Sequence, residues 1–252
     1  MESRSTRIHR HLDAVEVSRA AARGDAALAA RVAAVKRYQG RRFERTYADW
    51  MIRAAPRRAC RFFLEELYGD KDFSRRDAEF ARVVPALVRL FPDEITATVE
   101  ALGALHALSE EFDLQMARAL GDGSGDTSSG GMATGPSVDA ASYLRIWKAT
   151  GRPEDRERQV ALMHDVGTAL TVYTRRPMLR RTLKFMRIPA TAAGLSSLQG
   201  FLEEGFDAFA ELPDASAFLE SVAGRERALM ARLFAATDVQ PDGPDDPLAQ
   251  LP

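Results

Sequence analysis

The stretch Arg61-Phe62-Phe63-Leu64-Glu65-Glu66-Leu67-Tyr68-Gly69, followed by Asp72-Phe73-Ser74-Arg75-Arg76-Asp77, decides the fold class. Phe62, Phe63 and Leu67 fall on the face that a 3.6-residue period buries. Gly69 suits the left-handed conformation that closes a helix. Ser74 with Asp77 three residues later marks the start of the next one. The segment specifies a helix end, a stop and a restart, and it contains no catalytic pattern.

The same helical grammar extends in both directions. Asp25 reads as the N-cap of a helix with the stripe Leu28, Val32 and Val35. Phe43, Tyr47, Trp50 and Met51 form a second, aromatic stripe, and Pro56 fits the first turn of the helix that carries Phe62. A helix from Phe80 to Phe91 contains Pro85, which predicts a kink. Pro92 and Asp93 open another through Ile95, Val99, Leu102 and Leu105 to Met116, with Gly103 and Ser109 as points where it bends or divides. Glycine- and serine-rich residues 121–142 read as a flexible linker. Further helices follow at 144–150, 153–174, 177–187, 191–211 and 214–235, and no run of alternating β-branched residues argues for strands.

The expected fold is therefore an all-α bundle of roughly nine helices. Its expected parts are an N-terminal half at 1–120, the linker at 121–142, a C-terminal half at 143–237 and a disordered acidic, proline-rich tail at 238–252. Phe63-Leu64-Glu65-Glu66 recurs as Phe201-Leu202-Glu203-Glu204, each with an Arg-Leu-Phe downstream. Either the two halves are related, or both copies are amphipathic helix ends with solvated glutamates.

Phe62-Phe63-Leu64-Glu65-Glu66, together with Met186-Arg187-Ile188-Pro189-Ala190 and Gly200-Phe201-Leu202-Glu203-Glu204-Gly205-Phe206, resembles an uncharacterised family of bacterial hypothetical proteins named for an FFLEE motif. The resemblance spans most of residues 40 to 235 apart from the glycine-rich insert. It implies a bacterial, cytoplasmic, helical protein and brings no activity, cofactor or site residue with it.

Composition narrows the function classes. The 252 residues are 46% hydrophobic and 28% charged, ordinary values for a globular chain. Cys60 is the one cysteine, so no internal disulfide forms and a reducing compartment is expected. No apolar run reaches the ~18 residues of a membrane span, and Met1 to Arg7 lacks the apolar core of a signal peptide. A cytoplasmic location follows as the expectation. The net charge of −1 removes general attraction to nucleic acid.

Candidate chemistry is sparse. Four histidines and one cysteine supply no Cys-rich zinc site and no His-Glu-x-x-His or Glu-x-x-His pattern, so no metal site is expected. His9 and His11 lie in a basic N-terminal arm. His106 continues the stripe Ile95, Val99, Leu102 at helical spacing. It is the candidate cofactor-binding residue, as a haem axial ligand in a globin-like fold or, instead, as a core histidine with hydrogen-bond partners. No Gly-x-Ser-x-Gly elbow is present, and Cys60, sharing a face with Phe63, reads as a packed thiol. Adjacent glutamates diverge by about 100° on a helix and read as surface charge, so no catalytic residue is nominated.

The strongest hint is a basic helix. Arg176, Arg180, Lys184 and Arg187 step four, four and three residues along one face, and no acidic residue occurs between Asp165 and Glu203. That face suits an anion or a partner, or it pairs internally with Glu203, Glu204, Asp207 and Glu211. Three readings result: a non-enzymatic interaction or adaptor protein with an unknown protein partner; a ligand-binding helical protein with haem or an acyl chain near His106; and a nucleic-acid-associated protein using residues 176–187.

Overall fold

A computed structural model describes residues 2–66, 73–122 and 135–252, apart from the side chains of residues 54 and 55. The helix stop expected at Leu67 to Gly69 and the centre of the expected linker lie outside the described residues. Among the described residues the chain forms twelve α-helices and one 3-10 turn, with no strand. The all-α expectation holds. In the N-terminal part these are α1 (Arg4–Arg23), α2 (Ala26–Thr46), α3 (Ala48–Met51), α4 (Ala54–Glu66), α5 (Ser74–Leu90) and α6 (Asp93–Asp122). Beyond residue 135 come α7 (Ala140–Thr150), α8 (Pro153–Thr174), α9 (Pro177–Phe185), α10 (Arg187–Ala192), α11 (Ser196–Ala210) and α12 (Ala215–Ala235).

Local chemistry explains several boundaries. The Asp25 carboxylate accepts from the Ala27 and Leu28 amides and caps α2. Asp139 and Ser142 form a capping box at α7. Helix α11 has no side-chain cap of its own. Instead Glu79 of α5, itself buried, accepts the Leu198 amide at 2.8 Å, so a carboxylate from another helix satisfies an orphan donor there.

Two expectations change. The basic N-terminal arm is a helix: Ile8, Leu12 and Val15, spaced four and three apart, are buried, and α1 packs against α5 and α6. Helix α6 runs unbroken past both expected break points. Gly103 there marks a close approach, since a Cβ would stand 3.5 Å from the Cβ of His11, and the Ser109 hydroxyl donates back to the Leu105 carbonyl at 2.9 Å. Pro85 lies inside α5, as the sequence places it.

Helix α6 is the central element, in contact with α1, α2, α5, α7 and α8. One apolar cluster joins α2, α6, α7 and α12 around Tyr38, Met116, Tyr143 and Leu233. A second joins the end of α2 to α4, α11 and α12 around Tyr47, Phe63, Phe209 and Phe218. Both clusters draw on residues from either side of 121–142, so the two sequence halves share their cores. The tail expected to be disordered is ordered. Pro247–Gln250 forms the 3-10 turn, Leu248 and Leu251 are buried in the first cluster, and Asp246 holds Arg232 at 2.9 Å. Alternating proline and aspartate suppress regular structure, but two well-placed leucines supply enough apolar surface to dock the segment.

Candidate functional site

His106 sits between helices, in a chain of charges. Its Nε2 lies 3.1 Å from Asp77 Oδ2 and 3.2 Å from an Arg19 guanidinium nitrogen. Arg19 in turn donates to Asp77 at 2.6 Å and to Glu110 at 2.9 Å, and Lys36 meets Glu110 at 3.0 Å and Asp113 at 3.8 Å. Helices α1, α2, α5 and α6 are thereby linked by one polar seam. Burial pushes the Asp77 carboxyl up, but the hydrogen bond from His106 and the charges of His106, Arg76 and Arg19 outweigh it and hold the group down at about 2. At Asp113 burial wins over Lys36 and raises the carboxyl to about 6. The ring nitrogen that an iron would need thus faces a carboxylate, as the polar-partner reading of His106 requires.

A cavity of about 60 Å³ lies elsewhere in the core, and no residue of the charged seam lines it. Leu105 and Ser109, on either side of His106 in the sequence, line it with Trp147, Arg156 and Glu226. Such a volume accommodates a few waters, whereas pockets for organic ligands run to ~300 Å³ and more. The buried Arg156 stacks over Trp147 at 3.4 Å and over Phe112 at 4.3 Å. Burial lowers its guanidinium to about 10, which still leaves a cation at neutral pH. Cys60 is fully buried, and burial, reinforced by Asp49, pushes its thiol up to about 12, so little thiolate forms.

The basic segment is built differently from either of these. Its helix breaks at Met186 into α9 and α10. Leu179 and Leu183 are half-buried and turn α9 toward the body, where it meets α8 and α11. No residue of α9 is buried, so the helix stands proud as a ridge. The four basic residues divide in their partners. Arg180 pairs with Asp207 at 2.8 Å, and Arg187 grips Glu203 with two nitrogens. Arg176 lies over the Tyr173 ring at 5.9 Å, and Lys184 makes no ion pair with a described residue. Glu204 and Glu211 are taken by Arg58 of α4.

The outward stripe of the ridge is Met178, Arg181, Phe185 and Ile188, spaced three, four and three apart. Met178 is 78% exposed, Phe185 82% and Ile188 80%. The sequence carries this spacing, but it also carries the basic stripe and the Leu179–Leu183 stripe on the same short segment. Which stripe faces outward depends on the docking of α9 against α8 and α11.

A family model matches residues 18–240, and its description is a domain of unknown function, DUF8198. The chain belongs to this family. DUF8198 thus spans every helix from the end of α1 to the end of α12, with the ridge inside it. Neither the curated proteins nor the solved structures contain a match to the chain. No helix of the described residues is long and apolar enough to cross a membrane.

Proposed function

We propose that this DUF8198 protein is a cytoplasmic interaction or adaptor protein that works by docking through the α9–α10 ridge. One observation carries the proposal: three large apolar side chains, Met178 and Phe185 on α9 and Ile188 on α10, are each about four-fifths exposed on a segment that also carries Arg176, Arg180, Lys184 and Arg187. Large apolar side chains clustered on a surface mark docking sites in folded proteins. A nucleic-acid role gains less from the ridge, because the most exposed groups beside its cations are the apolar Met178, Phe185 and Ile188. The ligand reading gains less from His106, whose Nε2 is engaged by Asp77.

The test uses single-site labelling. Cys60 is buried and resists thiol reagents, so a Phe185→Cys variant takes an environment-sensitive dye at one place. A Val17→Cys variant, on an exposed position of α1, is the control. Adding whole-cell extract, membranes included, shifts the emission of the dye at 185 to the blue and leaves the dye at 17 unchanged. No shift at 185, or equal shifts at both positions, overturns the proposal.

A further inference from the structure

Four cations on or beside the ridge, Arg175, Arg176, Arg181 and Lys184, are exposed and make no ion pair with a described residue. Among the described residues, ion pairs form at Arg180 and Arg187 of the six in this segment, with Asp207 and Glu203. The surface therefore combines residual positive charge with an apolar stripe, and both are solvent-exposed. Tyr173, at the end of α8, donates to the Glu94 carbonyl at 3.0 Å and so fixes the base of the ridge on the first turn of α6. In the turn just before Glu94, exposed Arg89, Leu90 and Phe91 repeat the same pairing of arginine with large apolar groups.

Shape and charge together choose the occupant. A second copy of the chain would set these cations against their own images across a two-fold axis. An amphipathic helix of another protein seats its apolar face in a groove, whereas this surface is a ridge. An anionic lipid surface accepts a ridge: apolar side chains enter the boundary between headgroups and acyl chains, and arginine and lysine reach back to the phosphates. We infer that the α9–α10 ridge seats this protein on anionic lipid bilayers, with Met178, Phe185 and Ile188 inserted and Arg175, Arg176, Arg181 and Lys184 on the headgroups. The inference rests on the docking role proposed for the same surface. Because the helices are short, attachment is reversible and requires both the charge and the apolar stripe.

The experiment is co-sedimentation of the full chain with vesicles of phosphatidylcholine alone or of phosphatidylcholine with phosphatidylglycerol. The protein sediments with the anionic vesicles, stays in solution with the neutral ones, and is released by salt. The Phe185→Asp/Ile188→Asp and Arg181→Glu/Lys184→Glu variants each bind the anionic vesicles about tenfold or more weakly, with unchanged melting curves, since all four positions are exposed. Failure of the unaltered protein to bind anionic vesicles overturns the inference, as does binding that either double variant retains. The dye at position 185 keeps the two proposals apart. A blue shift in extract without one on anionic vesicles refutes the lipid surface and leaves the docking role standing. Absence of both shifts refutes both.

Discussion

Asp77 and Asp113 belong to the same seam of charges and respond to pH in opposite directions. With its folded value held down at about 2, Asp77 contributes stability that is present above its ordinary value near ~4 and is lost as pH falls toward about 2. Asp113, raised to about 6, favours the folded state only while protonated, so its contribution is present below ~4 and lost as pH rises through about 6. Asp77→Asn should cost about 2 kcal/mol at neutral pH, with the loss shrinking to nothing near pH ~2. Asp113→Asn should stabilise the protein at neutral pH and flatten the profile between about pH 4 and 6. Urea unfolding across the pH range checks both, and a profile unchanged by either substitution contradicts the assignment. Neither group stands out in the sequence, because a carboxylate's environment comes from helices far away in the chain: Arg19, His106 and Lys36 are all distant from Asp77 in sequence.

At the scale of elements, the aromatic helix end that decides the fold class also provides its most sensitive joint. Phe63 is 7% exposed, with ring centroids 5.8 Å from Phe209 and 6.3 Å from Phe218. Phe63→Ala should cost about 3–5 kcal/mol, because the cavity left between α4, α11 and α12 cannot close fully. A thermal melt within a degree or so of the parent would contradict that. Phe62, the residue before one Phe-Leu-Glu-Glu copy, meets Phe201, the first residue of the other, at 5.5 Å, joining α4 to α11. Gly205 permits the approach, for a Cβ there would stand 2.8 Å from the Phe62 ring. The burial of Phe62 and Phe63 on α4 was legible from spacing alone, whereas Ile95, Val99 and Leu102 of the stripe expected on α6 are only half-buried. Helix α1 was not, because its three buried apolar residues are scattered among arginines and histidines and the charges dominate the local pattern. Ser74 opens α5 as expected, but Asp77 turns to Arg19 and His106, partners that no local motif announces.

Across the whole molecule, the tail is the clearest case of long-range order. Leu248 and Leu251 enter a core formed by α2, α6, α7 and α12, and the Leu251 carbonyl accepts from Arg45 at 2.7 Å. Ending the chain at residue 237 should lower stability by about 3–6 kcal/mol, from two leucines at about 1.5–3 kcal/mol each. A truncated chain that melts like the full one would show the tail to be dispensable. The sequence alone determined the helical class, most helix positions, the caps at Asp25 and the burial of Phe62 and Phe63, because these follow from periodicity and from hydrogen bonds within a few residues. Tertiary structure alone decided three things: that the halves interlock, that the tail docks, and that Met178, Phe185 and Ile188 face outward while Arg180 and Arg187 are neutralised. Each of these depends on surfaces contributed by segments far apart in the chain, and a local pattern cannot specify which surfaces will meet.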